Sequence, residues 1–109
     1  MKVLAILTLA GGLLTTSFAN AAVDAEAARA LMKKSDCFKC HAMDKKKSGP
    51  PYKDTAKKYK GKADAEDKLT RHITLEPLVE IDDKKEKHKA IGSKDAAEIK
   101  NVVQWILSL

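Results

Sequence analysis

Two cysteines separated by two residues and followed at once by a histidine have the clearest chemistry in this chain. They are Cys37, Cys40 and His41, in the run Cys-Phe-Lys-Cys-His. This spacing is typical of covalent c-type haem attachment. Two thiols one turn apart can bond two vinyl groups of one porphyrin, and the adjacent imidazole is then held under the iron as an axial ligand. The motif therefore predicts one covalent haem c.

Two other kinds of site also use a C-x-x-C pair. A thioredoxin-like disulfide needs a strand ahead of the motif, whereas the residues before Cys37 have a helical pattern. A structural zinc site would need both cysteines and two of the histidines His41, His72 and His88. His41 abuts Cys40, however, and the chain has no second cysteine pair. The haem interpretation is the stronger one.

The first residues have the pattern of a secretory signal peptide. Lys2 precedes an apolar stretch from Val3 to Phe18, and small residues then lead to a cleavage site at Ala21. The apolar stretch is interrupted by polar residues and is shorter than the roughly 20 residues of a membrane-spanning helix. We therefore expect residues 1–21 to be removed, which leaves residues 22–109 as one small exported domain without stable membrane insertion.

The rest of the chain has helical spacing. A first helix should run from its cap at Asp24 to Lys34, and a second from Lys53 to Tyr59 after the turn at Gly49 to Pro51. A third should run from Ala63 to Thr74 and end before Pro77. The expected inward residues are Ala27, Ala28 and Leu31 in the first helix, and Ala65, Leu69, His72 and Ile73 in the third.

The stretch from Leu78 to Ile91 is polar and rich in lysine, so we expect a long loop there. This loop contains His88. The last helix should begin after Gly92, with Ser93 as its cap. Its apolar stripe, which must pack on another helix or on the cofactor, consists of Ile99, Val102, Val103, Trp105, Ile106 and Leu109.

The run from Cys40 to Asp54 strongly resembles the small bacterial class I cytochromes c. The resemblance extends through the first helix, the turn at Gly49-Pro50, the third helix and the last helix with Trp105. It implies an all-α, class I cytochrome c fold with about four helices around one haem. The first and last helices would cross, and the haem edge would be exposed in a cleft.

The resemblance also implies roles for residues near the iron. In this family the proline after the haem motif offers its carbonyl to the proximal imidazole, which implies a contact between Pro50 and His41. The usual distal ligand is a methionine ahead of the last helix, and this chain has none there. His88 lies close to that position when the chain is aligned backwards from Trp105, so we expect His41 and His88 to be the axial ligands. His72 is a competitor, and the alignment favours a place for it near a haem propionate.

Three further possibilities stay open at the distal position: a water-bound iron, Lys87 or Lys89. Met43, two residues past the proximal histidine, is expected to pack against the protein instead of binding iron. Two strong axial ligands leave no vacant position for a substrate, so the implied function is electron transfer and not catalysis. Imidazole in place of methionine should lower the reduction potential.

The chain is basic, with 21 lysines and arginines against 15 acidic residues and a formal charge of +6. The lysines form runs, such as Lys45 to Lys47, that are either simply solvated or a docking surface for acidic redox partners. Only two residues, Arg29 and Arg71, are arginines, which argues against nucleic-acid binding.

We therefore expect a soluble periplasmic monohaem electron carrier, either a monomer or a weak dimer. One alternative is a haem sensor or ligand-binding protein whose distal site is open or labile. Another is a small electron-transfer subunit of a larger oxidoreductase.

Overall fold

The computed structural model describes residues 22–109, and the expected signal peptide lies outside the described residues. Within the described part, no helix has the length and apolar character needed to cross a membrane. This part of the chain is mostly helical. The elements are α1 (Ala25–Lys34), α2 (Cys37–Cys40), α3 (Tyr52–Tyr59), α4 (Ala65–Thr74), β1 (Leu78–Ile81), β2 (Lys84–Lys87) and α5 (Ala96–Leu107).

The first and last long helices pack against each other. Asp24 caps α1, because its carboxylate accepts a hydrogen bond from the backbone N–H of Ala27 at 2.9 Å. Asn101 of α5 ties the two helices together at the same point. Its Oδ1 accepts from the backbone N–H of Asp24 at 2.9 Å, and its Nδ2 donates to the carbonyl of Asp24 at 2.8 Å.

The hydrophobic core lies along α5, which packs against α1, α3 and α4. Val102 and Val103 of α5 and Met32 of α1 are almost completely buried. Helix α5 contributes more residues to the buried core than any other element of the described chain, so its apolar face holds the shorter helices in place. The core cluster consists of Ala28, Met32, Tyr52, Leu69, Ile91, Ile99, Val102, Val103, Trp105 and Ile106.

Two expected inward residues are in fact exposed. Ala27 faces solvent, because the buried face of α1 passes through Ala28 and Met32, four residues apart on one side of the helix. Leu109 lies beyond the end of α5 and is 37% exposed. The remaining apolar stripe of α5 is buried as expected.

The stretch expected to be a loop contains a β-hairpin, so that expectation is wrong. Strands β1 and β2 pair antiparallel, with Leu78 opposite Lys87 and Ile81 opposite Lys84. Asp82 and Asp83 connect them and have φ values of 49° and 63°. Two successive residues with positive φ in a two-residue connection form a type I′ turn, whose twist matches that of paired strands. His88 follows the second strand directly.

The cap of α5 also differs from the expectation. Asp95 is the cap, because its carboxylate accepts from the backbone N–H groups of Ala97 and Glu98 at 2.8 and 3.2 Å. Ser93 has an auxiliary role: its hydroxyl accepts from the backbone N–H of Asp95 at 3.1 Å and donates to the Glu98 carboxylate. The cap of α5 is therefore the carboxylate of Asp95, which lies closer to the first turn than the hydroxyl of Ser93.

Candidate functional site

The two cysteines lie at the two ends of the one-turn helix α2. Asp36 precedes this helix with φ 63°, a left-handed conformation that Asp tolerates better than most residues. Cys37 is half-buried and Cys40 is exposed, and neither forms a disulfide. Burial raises the pKa of the Cys37 thiol. Helix α2 thus places two free sulfurs one turn apart.

His41 follows α2 and is held by the turn at residues 49 and 50. Its Nδ1 donates a hydrogen bond to the carbonyl of Pro50 at 2.8 Å, so the contact expected from the resemblance is present. Because a carbonyl can only accept, this bond fixes the proton on Nδ1 and leaves the lone pair on Nε2. The imidazole is therefore held in the tautomer that can bind a metal through Nε2.

Gly49 contacts the ring of His41 directly. A Cβ atom at this position would lie 2.4 Å from Cε1 and 2.7 Å from Nδ1 of the imidazole, so no side chain fits there. The backbone N–H of Gly49 also donates to the carbonyl of Cys40 at 2.7 Å. The sequence marked this glycine only as part of a turn, and its role as a wall of the histidine site was missed.

His88 lies opposite His41. The two ring centroids are 6.1 Å apart and the ring planes are inclined by 48°. Two imidazoles whose nitrogens are each about 2 Å from one shared metal have centroids about 6 Å apart. Nδ1 of His88 is buried and has no hydrogen-bond partner in the described part of the chain. These residues therefore fit an iron atom bound between the two rings.

The surroundings of His88 favour its neutral form. Burial lowers the pKa of His88, and the neighbouring His72 and His41 lower it further. A neutral imidazole is the form that binds a metal. The backbone N–H of His88 donates to the carbonyl of Pro77 at 2.8 Å, which fixes where the residue leaves the hairpin.

His72 is beside His88. The centroids of these two rings are 4.4 Å apart, with an interplanar angle of 57°. Burial lowers the pKa of His72, and His41 and Lys58 contribute in the same direction. The structure therefore brings all three histidines of the chain into one region. The sequence predicted a shared face for His72 and Leu69 but not the contact between His72 and His88.

Tyr52 links the histidine site to the core. Its ring centroid lies 5.0 Å from that of His41, 6.0 Å from that of Phe38 and 6.4 Å from that of Trp105. The side chain is buried, and this burial raises the pKa of its hydroxyl. Sequence reasoning missed this residue, although its place directly after Pro51, at the start of α3, was a usable signal.

Comparison with known proteins agrees with this geometry. The family model for cytochrome c matches residues 25–109. Cytochrome c-552 of Hydrogenobacter thermophilus is 38% identical over 86 residues, which cover 72% of this chain and 78% of that protein. Cytochrome c-551 of Allochromatium vinosum is 36% identical over 90 residues, which cover 72% of this chain and 82% of that protein.

Solved structures show the same fold. The class 1 cytochrome MtoD of Sideroxydans lithotrophicus ES-1 has 50% sequence identity and a TM-score of 0.76, over 80% of this chain and 97% of that one. Cytochrome c552 of Nitrosomonas europaea has 31% identity and a TM-score of 0.60, over 74% and 98% of the two chains. The resemblance to class I cytochromes c is confirmed. The chain belongs to the cytochrome c family, an electron-carrier family with one covalent haem c, and Cys37 and Cys40 fit its attachment motif.

Proposed function

We propose that this protein is a periplasmic one-electron carrier in which His41 and His88 are the two axial ligands of a single haem c. Cys37 and Cys40 attach the porphyrin. The observation that supports this most directly is the facing pair of imidazoles with centroids 6.1 Å apart. When bound, haem c supplies an iron that changes its charge by one electron.

The proximal side is built to keep one imidazole in one orientation. The Pro50 carbonyl accepts a hydrogen bond from the Nδ1–H of His41, which makes Nε2 a stronger electron-pair donor to a metal. Gly49 allows the backbone to lie against the ring, and Tyr52 packs at 5.0 Å from it. A ligand held in this way has little freedom to leave the iron or to rotate during electron transfer.

Other side chains are less suited than His88 to the distal position. The ammonium group of Lys89 is paired with Asp36. Lys87 is exposed on the outer strand of the hairpin. Met43 is partly buried and packs against the core, as the sequence predicted. His88 alone among these combines a ring that faces the proximal histidine with a buried nitrogen that has no protein partner.

This ligand set makes the protein a carrier and not a catalyst. With the imidazoles of His41 and His88 both bound, the iron would have no free coordination site for oxygen, peroxide or an organic substrate. The protein's task is then to bind redox partners briefly and to hold the ligands still. We also expect the reduction potential to lie below that of relatives with a methionine ligand, because methionine ligation raises it.

The proposal also includes export of the protein and its docking to acidic redox partners. We expect cleavage after Ala21, which intact mass spectrometry of the exported holoprotein would check. Several lysines, such as Lys57, Lys84 and Lys85, form no ion pair within residues 22–109. Free positive charge of this kind favours transient complexes with acidic partner proteins.

The ligand assignment is tested by the optical and electron paramagnetic resonance spectra of the ferric holoprotein produced in a periplasm. The wild type should be low-spin. His88→Ala should be high-spin, or should bind an added ligand in the vacated position, because one strong donor is lost. His72→Ala, the matched control, should keep the low-spin spectrum. A low-spin His88→Ala together with a high-spin His72→Ala would assign the distal position to His72 instead.

A further inference from the structure

We propose that Ser35 and Asp36 form a clip that holds the distal segment, defined as residues 88–92, and so keeps His88 on the iron. The two clip residues directly precede the haem-attachment helix α2. The inference rests on the proposed function, because it takes His88 as the distal ligand. Ser35 and Asp36 act on His88 through the chain that carries it, so they are positioning residues.

The first half of the clip is a buried hydroxyl. Ser35 is only 5% exposed, and its Oγ accepts a hydrogen bond from the backbone N–H of Gly92 at 2.8 Å. The backbone N–H of Ser35 donates to the carbonyl of Leu31 at 2.9 Å, so the residue also ends α1. This half of the clip is therefore fixed at the end of α1, and it binds Gly92, the last residue of the distal segment.

The second half of the clip is an ion pair at the other end of the segment. The carboxylate of Asp36 pairs with the ammonium group of Lys89, the residue after His88, and with that of Lys39 at 3.2 Å. These two lysines lower the pKa of Asp36, so the carboxylate stays charged near neutral pH.

The backbone conformation of Asp36 is a further indication that its side chain has a role. Its φ of 63° is a conformation that glycine adopts without strain and that other residues adopt at some cost. Aspartate tolerates this conformation better than most residues, but it is less favourable there than glycine. The ion pair with Lys89 supplies the compensating interaction, and it joins the start of the haem motif to the chain beside the distal ligand.

Two backbone hydrogen bonds also hold the segment. His88 N–H donates to the carbonyl of Pro77, and Ile91 N–H donates to the carbonyl of Ile73, both at 2.8 Å. These bonds fix the segment to α4 and to the base of the hairpin. The clip adds attachment to the corner between α1 and α2. Without the clip, the segment would keep these bonds and the buried side chain of Ile91 but would lose its attachment to Ser35 and Asp36, so His88 would be released from the iron more easily.

The test measures how readily added imidazole displaces the distal ligand of the ferric holoprotein, in Ser35→Ala, in Asp36→Asn and in the double variant. The apparent affinity for imidazole should rise about tenfold for Ser35→Ala, which leaves a buried N–H without its acceptor. For Asp36→Asn it should rise about two- to fivefold, because the ion pair is partly exposed. A second readout is amide hydrogen exchange of the distal segment, which should become faster.

Two controls separate positioning from general loss of stability. Asp64→Asn removes an exposed ion pair of similar kind, with Lys68 at 2.9 Å, far along the chain from the clip. Val103→Ala weakens the core without removing either half of the clip. Neither control should raise imidazole affinity as much as Ser35→Ala at equal loss of global stability. If Ser35→Ala does not fold with haem, the more exposed Asp36→Asn still gives both readouts.

The inference is overturned if exchange of the distal segment is unchanged in both clip variants, or if Val103→Ala promotes displacement equally. It is also overturned if exchange becomes faster while imidazole affinity stays at the wild-type value. If exchange becomes faster but imidazole affinity is unchanged, the spectrum of His88→Ala distinguishes failure of the ligand assignment from failure of the clip. A wild-type spectrum means that the ligand assignment itself is wrong, whereas a high-spin spectrum means that only the clip is wrong.

Discussion

In the proposed ligand set, single residues next to His41 decide whether its ring can bind the iron. Gly49 and Pro50 both act on the ring of His41: Gly49 leaves room for it, and the carbonyl of Pro50 accepts a hydrogen bond from its Nδ1–H. The Cys-x-x-Cys-His spacing revealed the histidine without any structure, since the motif is local. The contact with Gly49 was not predictable from spacing, because it depends on how the turn folds back over the ring.

The clash at Gly49 leads to a first prediction. Gly49→Ala should displace the imidazole of His41, because the new methyl group would lie 2.4 Å from Cε1. We expect a lower yield of holoprotein and a high-spin component in the optical and paramagnetic spectra. Such an effect would show that the glycine is required by contact and not only by chain flexibility.

Gly61→Ala is the matched control for this prediction. Gly61 has φ +75° with no atom near the position of a Cβ, so alanine would be strained but would touch nothing. The strain should lower the free energy of unfolding by about 1–2 kcal/mol and leave the haem spectrum unchanged. If Gly49→Ala also left the spectrum unchanged, the role assigned to Gly49 would be wrong.

The identity of the distal residue sets the direction of a second prediction. His88→Met should raise the reduction potential of the holoprotein, since a thioether stabilises the reduced iron relative to an imidazole. Potentiometric titration of wild type and variant measures the shift. His72→Met, the control at the neighbouring ring, should leave both axial ligands and most of the potential in place. A fall in potential in His88→Met would contradict the assignment.

Among the elements, the helices were predictable and the hairpin was not. Apolar spacing located α1, α4 and α5 to within a few residues, because each must bury one face against the core. The strand Lys84–Lys87 is wholly exposed and consists of lysines and a glutamate, which have low strand propensity. This strand has no alternation of apolar and polar residues from which it could have been predicted.

The residue that caps α5 was also not predictable from the sequence. Both Ser93 and Asp95 are residue types that cap helices, and only the backbone path decides which of them meets the free N–H groups. The sequence therefore predicted the existence of α5 and its buried stripe, but not its first residue. Leu109 was assigned to that stripe for a related reason, since the helix ends sooner than its apolar pattern does.

The turn of the hairpin gives a third prediction. Asp82 and Asp83 both have positive φ, for which Asn-Gly is the most favoured pair in a type I′ turn. The double substitution Asp82→Asn with Asp83→Gly should raise the free energy of unfolding by about 0.5–1 kcal/mol, measured by denaturant titration of the holoprotein. The haem spectrum should stay the same. A loss of stability would mean that the turn is of another type.

At the scale of the whole molecule, the contacts that fix the distal side join distant parts of the sequence. Ser35 contacts Gly92 across 57 positions, and Asp36 contacts Lys89 across 53. Local patterns carry no information about such pairs. The sequence could therefore propose His88 only by its resemblance to a family, whereas the fold brings its ring opposite that of His41.

The net charge leads to a fourth prediction, about the whole surface. Loss of Lys2 with the signal peptide lowers the formal charge of the chain from +6 to +5, which should still attract anions before contact, so electron transfer with hexacyanoferrate should slow as ionic strength rises. Stopped-flow rates between low and physiological salt should fall about tenfold or more. Hexaammineruthenium, a cationic reagent, is the control, and its rate should rise. Equal salt dependence for the two reagents would contradict electrostatic steering.

Near-infrared magnetic circular dichroism of the ferric wild-type holoprotein is the most direct test of ligation by His41 and His88. The energy of its charge-transfer band depends on the pair of axial ligands and requires no mutation. Ligation by His41 and His88 predicts the band of two imidazoles. A band typical of histidine with methionine, or of histidine with an amine, would contradict ligation by the two histidines, as would a high-spin spectrum with no such band.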